Sequence, residues 1–345
     1  MVITMSSEAT AVAILVKNWF PSISLSLLGS LLIVSITLLN LLGAKQLGKL
    51  ESALAAIKLF AIVAFIILGF LLITGILFGS KAIGLSVIWN EPFLQGGILS
   101  FLGSFLIVIF TYAGFEIIGL AASETRDKER TVPKAIHITV FSLVSLYILS
   151  ITILLLLIPT DSLSETTSPL VSALERYHLT WAGDAMNFIL ISAILSTMLA
   201  AMFGIGRMLR SLVEDALAPT LLLDHGEVPK KGILFSGLCM LISLFIGLLF
   251  PRVYLFLISS GGFSLLFTYI ILMLTHIRFR KQNGKPKGRC YLGGYPYSSL
   301  FTLLGLLVSL FSMPFMEGQR SGFLAGILLI LFFYICYGIM KWKKS

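Results

Sequence analysis

The segment at residues 110–136, FTYAGFEIIGLAASETRDKERTVPKAI, starts as an apolar run of membrane-spanning character and ends in a charged stretch. Gly114 and the ionisable Glu116 stand inside its apolar part. A membrane helix interrupted at a glycine exposes backbone carbonyls and helix ends at mid-membrane depth. The alternatives are close helix packing for Gly114, which needs small residues, and an interfacial carboxylate in water for Glu116. The segment therefore predicts a membrane helix that is either interrupted or closely packed.

The composition of the whole chain identifies its class. The 345 residues are 57% hydrophobic and 12% charged, with a mean hydropathy of +1.00, whereas a soluble domain carries roughly 25% charged residues. The net charge of +9 would suit a nucleic-acid binder, but the basic residues of membrane proteins gather in cytoplasmic loops. We therefore expect an all-α integral membrane protein whose partner is the lipid bilayer and not nucleic acid.

Apolar runs separated by prolines and glycines predict about ten transmembrane helices in one domain, residues 1–345. The longest loops between them are too short to form a soluble core. The predicted spans lie at about 1–19, 22–43, 51–78, 97–124, 134–158, 186–206, 232–250, 253–275, 297–313 and 321–341.

The distribution of lysine and arginine predicts the orientation of these spans. Of the 25 basic residues, 19 fall in one set of alternating loops and 5 in the other. Cytoplasmic loops carry the excess of positive charge. The chain is therefore predicted to be a multi-pass membrane protein with a cytoplasmic C-terminus.

Lys58 is the one basic residue that lies well inside a predicted span and not near its end. It follows Glu51 by seven residues, which places it about two turns, or roughly 10 Å, from the cytoplasmic end of the helix. A lysine within a span costs at least about 2.5 kcal/mol on insertion scales. This cost could be relieved if the flexible side chain extended its ammonium to the membrane interface, which is called snorkelling. The other interpretation is a titratable site that couples proton movement to the movement of a substrate.

The sequence holds no pattern that would support an enzyme. No Ser-His-Asp set, HExxH motif or phosphate-binding loop is present, and no cysteine or histidine stands at metal-ligand spacing. We therefore expect no catalytic residue, cofactor or metal. Glu8, Asn40 and Asn187 are polar residues within or near spans, where such side chains more often form hydrogen bonds between helices.

Several stretches together resemble one known family. Residues 110–136 resemble the sixth-span signature of the amino acid–polyamine–organocation superfamily. Residues 7–69 are similar to spans three to five of its bacterial amino acid transporter branch, the amino acid permeases. Residues 168–219 resemble the loop before span eight and span eight itself, and residues 259–281 resemble span ten. The resemblance covers nearly the whole chain.

This resemblance implies a LeuT-type inverted-repeat transporter fold that lacks its first two spans, since the predicted spans correspond to spans three to twelve. It also implies secondary active transport of amino acids across the cytoplasmic (inner) membrane, commonly as a symporter that uses the proton as coupling ion. On the same basis Lys58 resembles a fifth-span lysine implicated in proton coupling, and Glu116 matches the acidic position of the family.

The substrate site implied by the resemblance lies in the interrupted span. The carbonyls of Phe110 and Ala113 would receive the ammonium group of the substrate, and Tyr112 would lie within this binding segment. Gly114 would permit the break, and Phe115 would gate or line the pocket.

Other possibilities stay open at this point. A chain that lacks family spans one and two could be a truncated permease that does not transport, or it could be a membrane receptor for amino acids without flux. The residues do not specify which amino acid is carried, or whether the coupling ion is a proton or sodium. A homo-oligomer is possible.

Overall fold

The computed structural model describes residues 1–76, 91, 92, 94, 97–114, 118, 127–164, 166–285 and 291–342. Within this part of the chain every regular element is helical. The α-helices are α1 Val2–Lys17, α2 Leu25–Asn40, α3 Ala44–Ile73, α4 Gly97–Thr111, α5 Lys128–Leu157, α6 Pro169–Arg176, α7 Thr180–Glu214, α8 Lys230–Gly247, α9 Val253–Asn283, α10 Tyr297–Ser312 and α11 Arg320–Trp342.

Seven helical stretches are long and apolar enough to cross a membrane: Leu54–Ile73, Glu129–Leu157, Thr180–Glu214, Lys230–Gly247, Val253–Asn283, Tyr297–Phe315 and Arg320–Ile339. The apolar helices Leu25–Asn40 and Gly97–Thr111 are shorter. The all-helical architecture is therefore confirmed for the described residues, and seven of its helices are long and apolar enough to cross a membrane. Each predicted span overlaps a helix, but ten transmembrane crossings remain a prediction.

Two boundaries differ from the sequence-based expectation. The span predicted at 97–124 begins as expected at Gly97, but its regular helix ends at Thr111. Pro133, which suits the first position of a helix, instead lies inside α5, whose first residue is Lys128. The helix begins earlier because the charged residues before the proline are good helix formers and Pro133 removes only one backbone donor.

The chain forms two compact units. The first comprises residues 1–92, 149–258 and 330–345, and the second comprises residues 93–148 and 259–329.

In the first unit α1, α2, α7 and α8 pack against one another, and α3 and α6 pack on α7. Their shared core is rich in methionine, with Met198, Met202 and Met240 all fully buried. Unbranched methionine side chains fill the irregular gaps between crossing helices. At the crossing of α7 and α8 the backbones themselves come together, since a Cβ at Gly232 would lie 3.0 Å from the carbonyl oxygen of Gly206.

In the second unit α4 packs along α10. Leu106 of α4 is buried at 1% exposure. The buried Gln319 donates through Nε2 to the carbonyl oxygen of Gly103 at 3.0 Å, and the Ser312 hydroxyl donates to the carbonyl of Leu102 at 3.4 Å. Side chains near α10 and α11 thus fix the middle of α4, the helix that leads into the interruption.

Candidate functional site

Lys58 is held by hydroxyl groups of a neighbouring helix in the first unit. Its Nζ donates to Ser196 Oγ at 2.7 Å and to Thr197 Oγ1 at 3.3 Å. Ser196 is buried at 2% exposure. Thr197 donates its own proton to the Ala193 carbonyl at 3.0 Å, so its oxygen receives the lysine through a lone pair. Hydrogen bonds from the Lys58 ammonium therefore join α3 to α7.

Glu8 of α1 is the acidic partner that sequence reasoning did not assign. Its carboxylate lies within electrostatic range of the Lys58 ammonium and of the Tyr254 phenol. The residue as a whole is half-buried, yet its Oε2 atom is sealed from solvent and has no hydrogen-bond partner among the described residues. The signal in the sequence is a glutamate in the middle of a helix whose other charged residue, Lys17, stands at its C-terminal end. The sequence predicts a hydrogen bond between helices for Glu8 and does not point to Lys58.

The buried hydroxyl groups near Glu8 on the same helix already donate hydrogen bonds to backbone carbonyls. Ser6 Oγ donates to the Met240 carbonyl at 3.0 Å, and Thr10 Oγ1 donates to the Ser6 carbonyl at 2.9 Å. Both side chains are fully buried. These two bonds therefore stabilise α1 and its packing against α8. The Glu8 Oε2 atom has no such partner among the described residues.

The two buried asparagines differ from each other. Asn187 of α7 donates from Nδ2 to the Leu15 carbonyl of α1 at 3.2 Å, which is a bond between helices as predicted. Asn40 donates to the Ile36 carbonyl of its own helix at 3.0 Å. The Asn40 amide donor is therefore bonded within its own helix and not between helices, and Asn40 Oδ1 has no hydrogen-bond partner among the described residues.

The second candidate region is the end of α4 in the second unit. After Thr111 the chain leaves the helix through hydrogen bonds from Tyr112 N to the Ile109 carbonyl at 3.2 Å and from Ala113 N to the Phe110 carbonyl at 3.1 Å. Gly114 then has φ +108°. Only glycine adopts such a backbone conformation without steric cost. The structure thus shows that the regular helix ends before Gly114, and no atom of the described residues lies within 4 Å of the place where a Cβ would stand.

An aromatic clamp that the sequence did not reveal holds this helix end. The rings of Tyr112 and Tyr147 lie 5.0 Å apart between centroids. The Tyr147 hydroxyl donates to the Thr111 carbonyl at 2.9 Å. A carbonyl at a helix C-terminus lacks an intrahelical donor, and Tyr147 supplies one from α5.

The predicted site residues are therefore distributed as follows. Phe110, Tyr112, Ala113 and Gly114 form one consecutive, half-buried segment of the second unit. Lys58 belongs to the first unit. Phe115 and Glu116 lie outside the described residues.

Comparison with known proteins adds independent information. The family profile described as amino acid permease matches residues 1–345. The chain is 29% identical to the probable threonine/serine transporter YbxG of Bacillus subtilis, covering 97% of this chain and 75% of that protein. It is 32% identical to the gamma-aminobutyric acid permease of Bacillus subtilis, over 95% and 73%. It is 29% identical to the L-asparagine permease of Salmonella typhimurium, over 89% and 64%. These relatives are named as permeases and transporters, not as enzymes.

Proposed function

This chain belongs to the amino acid permease family, and from that premise we propose that it is a secondary active transporter that moves an amino acid together with a proton across the cytoplasmic membrane. Membership of the family supports the amino acid as substrate. The proton is our inference from the charged groups of the helix bundle. The single observation that carries it is the Lys58 ammonium, fixed on Ser196 in electrostatic range of Glu8.

Charged side chains inside a membrane bundle are costly, so those that are present commonly mark ion or proton pathways. Lys58 and Glu8 have opposite charges, and both can exchange a proton. Ser196 and Thr197 can accept hydrogen bonds from the ammonium, and the Ser196 hydroxyl can donate to the neutral amine. The lysine therefore keeps partners in both protonation states, as a carrier of a transported proton requires.

Coupling follows from the change in charge at this pair. When Lys58 is protonated, its charge is balanced by Glu8 and the helices α1, α3 and α7 are held together. When Lys58 loses its proton, that attraction disappears and α3 is freer to shift against α7. If the substrate binds one of these arrangements more tightly, then by linkage the proton does so too.

The substrate segment is proposed at Phe110–Gly114. The Phe110 carbonyl already accepts from Ala113 N, but a carbonyl oxygen has two lone pairs, so it can still receive a substrate ammonium. Ala113 would offer its own carbonyl, and Tyr112 and Phe115 would line the segment. Glu116 would contribute negative charge nearby in the sequence.

The names of the relatives suggest the chemical class of the substrate. Threonine, serine, asparagine and gamma-aminobutyric acid are zwitterions without net charge at neutral pH. We therefore propose a small neutral amino acid for this chain. A C-terminus on the cytoplasmic side is part of the same proposal, on the strength of the 19 to 5 division of basic residues.

The proposal is tested with the purified full chain in proteoliposomes, using labelled threonine, serine, asparagine and gamma-aminobutyrate. We expect uptake to rise when an inward proton gradient is imposed. In Lys58→Gln and Glu8→Gln the gradient-driven part of uptake should fall to background, while gradient-independent exchange of labelled for unlabelled substrate persists. Lys58→Arg keeps the charge but cannot release its proton, and it should behave like Lys58→Gln.

The matched control is Lys230→Gln, which removes the same charge at the start of α8. It should leave gradient-driven uptake unchanged. An unaltered gradient dependence in Lys58→Gln would show that the proton is not carried at this residue. If the wild-type chain showed neither uptake nor exchange, the proposal that it is a transporter would be contradicted.

A further inference from the structure

A strongly basic stretch of the second unit contains no acidic residue. Six lysines and arginines lie between residues 278 and 289, and the chain has no aspartate or glutamate from Val228 to Met316. This stretch begins in the last turns of α9 and continues past its end, on the predicted cytoplasmic side. Clusters of four to eight basic residues directly after a membrane span are typical binding sites for anionic lipids. An excess of basic residues is also expected of any cytoplasmic loop. The argument for a lipid site therefore depends on the geometry of one side chain.

That side chain is Arg280, in the last turn of α9. Its Nε and Nη1 atoms are sealed from solvent and have no hydrogen-bond partner among the described residues, although the residue as a whole is only half-buried. Buried donors without an acceptor are costly. The planar guanidinium fork matches a phosphate group, which can accept two parallel hydrogen bonds from it.

One face of the Arg280 guanidinium is supported by an aromatic shelf. Its Cζ lies 4.8 Å from the centroid of the Tyr295 ring. The Tyr295 hydroxyl donates to the Ile277 carbonyl at 3.4 Å, and the His276 ring meets Tyr295 edge to face at 6.1 Å. These contacts fix the ring and leave the arginine donors without an acceptor of their own.

Neighbouring aromatic residues indicate that this shelf lies at the membrane surface. The Lys285 ammonium stands 4.3 Å above the Tyr291 ring. Tyr297 and Phe301 are 80% and 79% exposed at the start of α10. Tyrosines are enriched at the level of the lipid headgroups, where one end of the side chain is apolar and the other is wet. An anion that reaches Arg280 beside such a surface is best supplied by a lipid.

We propose that Arg280, supported by Tyr295, binds the phosphate of an anionic phospholipid headgroup at the end of α9. The surrounding basic residues attract the headgroup, and the exposed aromatic side chains of α10 contact its acyl chains. The arginine needs only to turn on its flexible stem to present its unpaired fork. This site is independent of the proposed transport function.

The test is native mass spectrometry of the purified full chain in detergent, titrated with phosphatidylglycerol or phosphatidylcholine. We expect phosphatidylglycerol to bind at least about tenfold more tightly. Arg280→Gln should weaken its binding by about tenfold. Arg278→Gln is the matched control, since this exposed arginine lies on the same helix turn. Arg278→Gln should weaken phosphatidylglycerol binding by at most about fivefold, which is the contribution of any basic residue near the membrane surface.

Equal binding of the two lipids by the wild-type chain would overturn the proposal, and so would equal losses in the two arginine variants. Displacement of the lipid by millimolar inorganic phosphate would assign the site to a free anion and contradict a lipid. If Arg280→Gln does not fold, Tyr295→Leu takes its place, because removing the aromatic shelf should also weaken phosphatidylglycerol binding selectively. Unchanged selectivity in that variant would contradict the site.

Discussion

Glycine serves opposite purposes in two regions of this molecule. At the crossings of α8 with α7 and α2, a Cβ on Gly232 would lie 3.0 Å from a backbone oxygen, and a Cβ on Gly237 would lie 2.5 Å from Thr37 Oγ1. At Gly114 no atom of the described residues lies within 4 Å of where a Cβ would stand, but φ is +108°. The first region uses glycine for its lack of volume, and the second uses it for its backbone freedom. The residue type in the sequence therefore does not reveal its role.

The largest expected effect is at the closest crossing. Gly232→Leu would force the new side chain against the backbone of α7. A backbone cannot move aside by a rotamer change, as a side chain can. We expect a loss of more than about 3 kcal/mol of stability, beyond the ordinary range for overpacking. Fluorescence-detected size-exclusion chromatography should show aggregated in place of monodisperse protein. A monodisperse variant of normal thermal stability would show that the helices are not packed this closely.

A smaller effect is expected where the neighbour is a side chain. Gly237→Ala should destabilise the protein by about 1–3 kcal/mol, because Thr37 is β-branched and is held by its own hydrogen bond to the Ile33 carbonyl at 2.7 Å. Thr37→Ala in the same chain should recover part of that loss, which thermal unfolding in detergent would measure. Strictly additive effects would contradict the contact, since touching residues couple.

At the interruption the expected loss concerns transport more than stability. Gly114→Ala places a side chain in a left-handed conformation, at a cost of about 1–2 kcal/mol. The backbone should shift, and substrate uptake should fall about tenfold while size-exclusion behaviour stays normal. Gly204→Ala is the matched control, because Gly204 of α7 also has open space around it but no unusual φ. Its uptake should be unchanged. Equal uptake in the two variants would remove Gly114 from the substrate segment.

The smallest effect lies in the loop that joins the packed helices α7 and α8. Asp224 accepts backbone hydrogen bonds from Lys231 and Gly226, and these hold the pKa of its carboxyl below the usual value. A lowered folded-state pKa adds stability above the unfolded pKa of about 3.9, and this stability is lost as the pH falls through the folded value. Asp224→Ala should therefore lower the melting temperature slightly at pH 7 and hardly at all near pH 3. A difference that is independent of pH would contradict this linkage.

Much of the fold could be predicted because hydropathy is a local property. The apolar runs predicted where helices lie, and Gly114 does have a positive φ just after a helix ends. The end of α4 at Thr111 was not predicted, because apolar residues continue past it and the clamp by Tyr147 comes from another helix. In the same way the sequence predicts a structural role for Glu8, because nothing within α1 points to Lys58 of α3.

The sequence by itself determined the class of the protein, its helical composition, its family and the position of the lysine within a span. Only the tertiary structure decided that this lysine is hydrogen-bonded to Ser196, which is 138 residues away along the chain, and that it lies within electrostatic range of Glu8 of α1. The physical reason is that a membrane helix forms from its own residues, which satisfy every backbone group internally. The partners of a polar side chain depend on which helices pack together, and that is decided by small residues and shapes at crossings far apart in sequence.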